Sequence, residues 1–261
     1  MDVILFSGQS NMQGQSECLS EQAVVPLAYE YRWLQDELRP LKNPVGENIT
    51  YDLTTGYEVT PQTDIPRWLR EHALGSSCYG YTNLVPAFCR TYTALTGREV
   101  LAVHAAKGST RIADWLPGTP GYRALTRKAC DAIRKVSPDR IFFVWLQGES
   151  DAIYGMAKED YKAALRSLCD SLQADVGIHL FGIIRVGRFT GDNRDDEIIA
   201  AQDEICREDG DFLMLTDIAT ELNERSDCMN PYVGGHYSAV GLELLGREAA
   251  KTLANIKNGG I

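Results

Sequence analysis

Short apolar runs alternate with longer amphipathic stretches along this chain of 261 residues. One run, Ile141–Leu146, is almost continuously apolar, which is typical of a strand buried on both faces of a parallel sheet. The predicted strands are Val3–Phe6, Val100–Ala105, Ile141–Leu146, His179–Val186 and Phe212–Thr216. The predicted helices are Asn83–Thr96, Tyr122–Val136, Ala157–Val176, Asp195–Asp209 and Ser238–Ile256. This alternation predicts an α/β fold whose five-stranded parallel sheet is covered by helices on both faces.

One segment breaks the alternation. Residues from about 15 to 81 are rich in Tyr, Thr, Pro and Gly, and they contain Trp33 and Trp68. Loops of this length are uncommon in compact domains and are usually functional or internally structured. We therefore interpret residues 1–261 as a single domain in which this segment is an excursion over a functional site. The alternative is that its aromatic rings pack a small satellite core.

The overall charge excludes some classes of binding partner, and the cysteine pattern indicates the cellular compartment. The formal net charge is -10 and the pI is about 4.9, so nucleic acid and anionic membranes would be repelled. No apolar run approaches the roughly 18 residues that a membrane span needs, and we find no signal-peptide pattern. Seven scattered cysteines without a CxxC pair are typical of a reducing compartment. We expect a cytoplasmic protein that binds neither nucleic acid nor membrane.

A serine directly follows the first predicted strand. In the run Phe6–Met12, Ser10 stands at the carboxyl end of that strand, where α/β folds bind ligands and perform chemistry. The preceding Gly8 permits a tight turn, and a helix starting after it would direct free N–H groups at an anion forming near the Ser10 hydroxyl. Ser10 is therefore a candidate nucleophile, and the alternative is an ordinary helix N-cap.

Acyl transfer also needs a base that takes the proton of the nucleophile. The chain has four histidines. His236 lies in a glycine-rich loop before the last predicted helix, where a base can face Ser10. His104 and His179 lie within strand-like runs, which favours structural roles, and His72 lies in the excursion. His236 is therefore the candidate base.

Donors for a tetrahedral oxyanion are the third requirement of acyl transfer. Gln147 ends a buried strand and can donate from its side-chain amide, and Gly108 follows another strand and can donate from its backbone N–H. Glu149 stands beside a turn glycine, where it can orient a base or brace a neighbouring loop. Because the carboxyl ends of parallel strands meet at one edge of a sheet, these positions are expected to converge on Ser10.

These segments resemble the SGNH hydrolase superfamily, in particular its carbohydrate-esterase branch of sialate O-acetylesterase-like and acetylxylan-esterase-like proteins. The resemblance is carried by Gly8–Met12, Ala105–Trp115, Trp145–Asp151 and His236–Ser238 with Gly241. The motifs extend over nearly the whole chain. The resemblance implies a three-layer α/β/α sandwich with flavodoxin-like strand order.

The resemblance also implies an activity and its site residues. Ser10 would be the nucleophile and His236 the general base, with an oxyanion hole formed by the N–H groups of Ser10 and Gly108 and by the Gln147 side chain. The supporting positions would be Gln9, Asn11 and Glu149. The reaction would be hydrolysis of acetyl esters on a small sugar or oligosaccharide, without metal or cofactor. A general short-chain carboxylesterase and a catalytically silent carbohydrate-binding protein are the alternatives.

Two positions depart from the pattern of the family. The family commonly carries an Asp three residues before the base, where this chain has Val233. The loss of that carboxylate leaves open what orients His236. The candidates are a backbone carbonyl near Val233 and the side chains of Glu149, Asp227 and Asn230. Ser109 stands where the middle motif usually has a second glycine, which predicts a tighter loop with Gly108 as its only oxyanion glycine.

Overall fold

The computed structural model describes residues 1–18, 23–33, 35–46 and 82–256. The strands in these ranges are β1 (Asp2–Gly8), β2 (Ala28–Arg32), β3 (Glu37–Pro40), β4 (Val100–Ala106), β5 (Arg140–Leu146), β6 (Leu180–Ile184) and β7 (Phe212–Thr216). The helices are α1 (Ser10–Gln13), α2 (Val85–Thr96), α3 (Pro120–Val136), α4 (Glu149–Ile153), α5 (Lys158–Val176), α6 (Arg194–Glu208), α7 (Ala219–Asn223) and α8 (Ala239–Ala254). Short 3₁₀ helices occupy Ile112–Trp115 and Ser226–Cys228. None of the described helices is long and apolar enough to cross a membrane.

The strands form one sheet in the order β3-β2-β4-β1-β5-β6-β7. The strands β4, β1, β5, β6 and β7 are the five predicted from the sequence, and neighbours among them pair in parallel. Their order is flavodoxin-like, with the second strand of the series placed before the first. α2 packs against α8, whereas α3 packs against α5, and these two pairs form the helical layers on the two faces of the sheet. The predicted three-layer α/β/α fold is confirmed.

The sheet has two more strands than the five predicted. β2 and β3 come from the segment interpreted as an excursion, and they extend the sheet beyond β4. β3 pairs antiparallel with β2 and is mostly exposed. β3 was not predicted because its sequence is polar, and an edge strand can be polar since it buries only part of its surface.

The excursion is therefore partly edge structure. Trp33 follows β2, and its Nε1 donates to the Asp131 carboxylate of α3 at 2.8 Å. This ring packs against a helix of the main fold rather than in a separate loop. Trp68 and most of the remaining excursion lie outside the described residues, so its placement over the site stays a prediction.

The centre of the sheet is buried on both faces. β1 is buried along its whole length, and Phe6 meets Phe88 of α2 edge-on, with ring centroids 5.2 Å apart. On β5, Trp145 packs against Phe181 of β6 with centroids 6.3 Å apart. Close packing of this kind fixes the strand positions. The loops that follow β1 and β5 therefore start from a rigid base.

Candidate active site

The strand order reverses at β1, which lies between β4 and β5. Open parallel sheets bind ligands at such a switch point, outside the carboxyl ends of the strands. Ser10 follows β1, Gly108 follows β4 and Gln147 follows β5. His236 reaches the same place from the loop before α8, although it is 226 positions from Ser10.

Gly8 lets the chain turn from β1 into Ser10. Its φ of 143° is positive, and a Cβ at this position would collide with the carbonyl oxygen of Leu146 at the end of β5. Glycine is required because the two strand ends approach too closely for any side chain. The turn makes Ser10 the first residue of α1 and places it on the wall of a cavity.

Ser10 and His236 form a hydrogen-bonded pair. Ser10 Oγ lies 2.9 Å from His236 Nε2, and the two residues are 5% and 8% exposed. His236 Nδ1 lies 3.0 Å from the carbonyl oxygen of Gly234. A carbonyl can only accept, so Nδ1 carries the proton and Nε2 accepts from the Ser10 hydroxyl. This tautomer is the one that a general base needs.

The group that faces Nδ1 of His236 is thus a backbone carbonyl, which is one of the candidates named above for the role of the missing Asp. Asp227 forms an exposed ion pair, and Asn230 accepts from backbone N–H groups of its own loop. Glu149 accepts from Asn11 at 2.8 Å. These three side chains are therefore engaged away from the imidazole.

Burial lowers the pKa of His236 below its ordinary value of 6.5, and the hydrogen bond with Gly234 opposes that shift in part. Removal from water disfavours the charged imidazolium more than the neutral ring. His236 is therefore neutral, and able to accept a proton, at pH values where an exposed histidine is already charged.

A cavity of about 290 Å³ adjoins the pair. Among the residues that the structure describes, its lining combines polar groups with the apolar side chains of Ile153 and Phe189. These lining residues are Gln9, Ser10, Gln15, Ser109, Ser150, Ile153, Phe189 and His236. Phe189 lies edge-on to the imidazole of His236, with centroids 5.6 Å apart. Phe189 was not predicted from the sequence, although it lies in the segment that follows β6, where the strand-end rule places site residues.

Gly108 lies beside Ser10, but its N–H is already bonded. A Cβ on Gly108 would stand 3.4 Å from Ser10 Cβ, and the Gly108 N–H donates to Gln13 Oε1 at 2.7 Å. An oxyanion gains this donor only when the Gln13 amide releases it, so the role of Gly108 stays a prediction. Gln13 was not predicted, and its place one helical turn after Ser10 is the signal that points to it.

Ser109 has a φ of 64°, in the left-handed region that glycine adopts without steric cost. The backbone here has the conformation that suits the glycine usually found at this point of the motif.

The Gln147 side chain is fully buried, and its amide is fully bonded. Nε2 faces three acceptors: Gln9 Oε1 at 3.2 Å, the Thr110 carbonyl at 3.0 Å and the Asp151 carboxylate. Oε1 accepts from the Tyr161 hydroxyl at 3.0 Å. An amide nitrogen has two hydrogens for these three acceptors. Gln147 thus braces the turn after β5, and its role as an oxyanion donor stays a prediction.

The predicted supporting residues lie next to Ser10. Gln9 Oε1 accepts from the Ser150 backbone N–H at 3.1 Å. Asn11 Nδ2 donates to Glu149, and the same side chain contacts the backbone of the loop that carries the base. These contacts tie the turn after β1 both to α4 and to the loop before α8.

The other described histidines bond to the backbone. His104 Nε2 lies 3.0 Å from the Met12 carbonyl oxygen, and His179 Nδ1 accepts from the Ile141 N–H at 3.1 Å. His72 lies outside the described residues. Within the part of the chain that the structure describes, no group of three or more His, Cys, Asp or Glu side chains is arranged to hold a metal ion.

Comparison with known proteins relates the chain to carbohydrate esterases. A family model described as carbohydrate esterase, sialic acid-specific acetylesterase, matches residues 1–255. The chain is 24% identical over 212 residues to the probable carbohydrate esterase At4g34215 of Arabidopsis thaliana, a match that covers 77% of this chain and 74% of the relative.

Solved structures share the fold. The X-ray structure of the Arabidopsis thaliana protein AT4G34215 has a TM-score of 0.67 at 19% identity, covering 98% of this chain and 99% of that one. NanS has a TM-score of 0.65 at 13% identity, covering 96% of each chain. The carbohydrate acetylesterase XAC1771 of Xanthomonas citri has a TM-score of 0.54 at 15% identity, covering 97% of this chain and 55% of that one. Likeness at these identities shows a common fold.

Proposed function

Because the chain belongs to the carbohydrate esterase family described as sialic acid-specific acetylesterase, we propose that it removes O-acetyl groups from a carbohydrate through an acetyl-enzyme on Ser10. The family match confirms the resemblance inferred from the sequence motifs. The observation that carries the proposal is the 2.9 Å hydrogen bond between Ser10 Oγ and His236 Nε2, beside a cavity of about 290 Å³.

Acetylation of the enzyme uses both nitrogens of His236, each in a different role. Nε2 takes the Ser10 proton as Oγ attacks the acetyl carbonyl carbon, and Nδ1 keeps its hydrogen bond to the Gly234 carbonyl. The oxyanion is held by the Ser10 N–H at the start of α1 and by the Gly108 N–H once Gln13 releases it. His236 then gives the proton to the sugar oxygen as the bond between this oxygen and the acetyl carbon breaks, and the sugar leaves with a free hydroxyl group.

Deacetylation repeats these roles with water. His236 takes a proton from water as the water oxygen attacks the acetyl carbonyl, and it returns the proton to Ser10 as acetate leaves. Gln147 joins the oxyanion hole only if its amide leaves one of its three acceptors. The family resemblance supports that role, and the present hydrogen bonds of Gln147 oppose it.

The cavity favours a short acyl group. Its volume of about 290 Å³ is at the lower end of the range of roughly 300–1,000 Å³ for ligand pockets. The apolar side chains of Ile153 and Phe189 suit a methyl group, while the polar lining suits sugar hydroxyls. We therefore expect faster turnover of p-nitrophenyl acetate than of the octanoate. The reverse order would favour a general carboxylesterase for longer chains.

The first prediction tests the nucleophile. Ser10→Ala is expected to lower kcat/KM for p-nitrophenyl acetate by at least about 10³-fold, because the attacking oxygen is gone, while circular dichroism and thermal melting stay unchanged. Hydrolysis assays on the purified wild type and variant measure this. Wild-type kinetics in Ser10→Ala would contradict the proposal.

Ser7→Ala is the matched control. Ser7 lies in β1, the strand that Ser10 follows, and its Oγ is buried with no hydrogen-bond partner among the described residues. Loss of an unpaired buried hydroxyl is expected to leave activity unchanged and stability equal or higher. If the wild type hydrolyses neither the nitrophenyl ester nor acetylated sialic acid nor acetylated xylo-oligosaccharides, the silent carbohydrate-binding alternative is favoured instead.

A further inference from the structure

The side chain of Asn11 contacts the backbone of both residues adjacent to His236 in the chain. Asn11 directly follows Ser10 and is 2% exposed. Its Nδ2 lies 3.4 Å from the Gly235 carbonyl oxygen, and its Oδ1 accepts from the Tyr237 N–H at 3.3 Å. The residue next to the proposed nucleophile therefore contacts the chain on each side of the proposed base.

Glu149 sets the orientation of that amide. Asn11 Nδ2 makes its shortest hydrogen bond, 2.8 Å, to Glu149 Oε1. Because a carboxyl oxygen accepts on this side, the amide nitrogen faces Glu149 and the amide oxygen is left for the Tyr237 N–H. Glu149 is 2% exposed, and its Oε2 has no hydrogen-bond partner among the described residues.

The loop that carries His236 needs a restraint from outside, because the Gly234 carbonyl that accepts from Nδ1 of His236 belongs to the same loop. An Asp side chain can reach an imidazole through its own rotamer, whereas the Gly234 carbonyl moves with the backbone. Gly235 has a φ of 74°, and two consecutive glycines lose much conformational freedom when they are ordered. Holding Gly235 and Tyr237 fixes both the ring and its acceptor.

We propose that Asn11 and Glu149 are positioning residues that clamp the loop of His236 against Ser10, and so replace the orienting Asp that is absent at Val233. Glu149 acts through Asn11 as a hydrogen-bond acceptor, not as a charge on the imidazole. The kinetic consequences rest on the proposed esterase function, whereas the effect on the imidazole does not.

The surroundings of Glu149 agree with a role that needs no charge. Burial raises the pKa of Glu149; the hydrogen bond from Asn11 lowers it, and the carboxylates of Asp195 on α6 and Asp151 on α4 raise it again. The buried hydroxyl groups of Tyr237 on the loop and of Tyr161 on α5 are titratable groups whose pKa is raised by burial and by Glu149. The neutral carboxyl is thus more favourable here than in an exposed glutamate.

Four variants separate the hydrogen bond from the charge. Glu149→Gln keeps an oxygen that accepts from Asn11 and removes the charge, and Glu149→Ala removes the acceptor. Asn11→Asp keeps an acceptor for the Tyr237 N–H but sets a carboxylate against Glu149. The double variant Asn11→Asp/Glu149→Gln restores the hydrogen bond with donor and acceptor exchanged.

The kinetic readout is kcat/KM for p-nitrophenyl acetate. We expect Glu149→Gln to stay within about threefold of the wild type, and Glu149→Ala and Asn11→Asp to fall by about 10- to 100-fold. The double variant should recover about tenfold over Asn11→Asp alone, because the two positions are coupled. Thermal melting of each variant separates these effects from general unfolding.

The second readout is the imidazole itself, followed by NMR titration in protein labelled with ¹⁵N-histidine. The chain has four histidines, and a His236→Gln sample assigns the signal. In Glu149→Ala the pKa of His236 is expected to rise back toward its ordinary value, because a released loop admits water. In Glu149→Gln it should equal that of the wild type.

Two results would overturn the clamp. Glu149→Gln as impaired as Glu149→Ala, with unchanged melting, would show that the charge is required. Glu149→Ala with wild-type kinetics and an unchanged His236 titration would show that nothing is clamped. If the wild type lacks Ser10-dependent hydrolysis, the proposed function fails, and the NMR titration still tests the clamp. If Glu149→Ala does not fold, the clamp is tested by Glu149→Gln and by the recovery of the double variant over Asn11→Asp.

Discussion

At the scale of single residues, the chemistry of the site depends on what faces the second nitrogen of His236. The acceptor is the neutral carbonyl of Gly234, at 3.0 Å. A carboxylate there would raise the imidazole pKa through its charge, whereas a carbonyl contributes only a hydrogen bond. Burial therefore dominates, and the pKa of His236 falls below 6.5.

This shift has a kinetic consequence. The acid limb of a kcat/KM profile reports the base of the free enzyme, so we expect its midpoint below pH 6.5, the ordinary histidine value. The sign follows from the direction of the shift: a lowered pKa keeps the imidazole neutral, and therefore active, as the pH falls. Rates of p-nitrophenyl acetate hydrolysis between about pH 4 and 8 measure it.

Val233→Asp tests whether the lack of a carboxylate beside His236 keeps the pKa of its imidazole low. It adds a carboxylate where the family usually has one, and it is expected to move the acid midpoint upward without lowering the maximal rate. Val233→Asn is the uncharged control and should leave the midpoint in place. A wild-type midpoint above pH 6.5 would contradict burial as the dominant influence on His236.

The residues of the pair were predictable from the sequence, but the details of their surroundings were not. Ser10 follows a buried strand and a glycine, which is a local signal. That the Gly108 N–H donates to Gln13, at 2.7 Å, depends on a contact between α1 and the loop after β4, and on a side-chain rotamer. Neither is encoded in the spacing of a motif.

At the scale of elements, burial decides what a sequence can reveal. The apolar run Ile141–Leu146 is the observed strand β5, extended by one residue at its start, because a strand buried on both faces must be apolar throughout. β3 was missed because an exposed edge strand keeps polar side chains in contact with water. β2 was missed because it is short and carries Glu30 and Arg32, although most of it is buried. Without these two strands, residues from about 15 to 81 looked like one long excursion.

The junction between β1 and α1 is the element-scale feature on which the site depends most. Gly8→Ala is expected to lower the free energy of unfolding by more than about 3 kcal/mol and to abolish activity, because the new methyl group meets the Leu146 carbonyl. Gly97→Ala is the matched control: Gly97 also has a positive φ, 67°, but has open space around it. It should cost only about 1 kcal/mol and leave activity unchanged.

Urea denaturation and the nitrophenyl ester assay on both glycine variants distinguish collision from backbone strain. If the two proteins were equally stable, the approach of β1 to β5 would not require glycine. If Gly8→Ala were stable and inactive, the turn would set the position of Ser10 without contributing to folding.

At the scale of the whole molecule, the two ends of the sheet have different tasks. The carboxyl ends of β1, β4 and β5 surround the proposed site. At the opposite end, the first residue of β1, Asp2, is fully buried and accepts from Arg98, Arg140 and the Tyr92 hydroxyl, each at 2.7 Å in its shortest contact. This cluster joins β1 to the start of β5 and to the end of α2, about one strand length away from Ser10.

Asp2→Asn is therefore expected to weaken folding and spare catalysis. Burial opposes ionisation of Asp2, but the hydrogen bonds from Arg98, Arg140 and Tyr92 outweigh it and lower the pKa from 3.8 to about 2. A lowered folded-state pKa gives stability that is present above pH 3.8 and is lost as the pH falls through about 2, so the variant should lose about 2 kcal/mol at neutral pH. The difference in stability between the variant and the wild type should shrink in acid.

Asp139→Asn is the control, since Asp139 also binds Arg98 but is 62% exposed, and little change in stability is expected. Denaturation at neutral and acidic pH, with kcat for the acetyl ester alongside, measures both ends: a fall in kcat without a fall in stability would show that the amino end of the sheet also shapes the site.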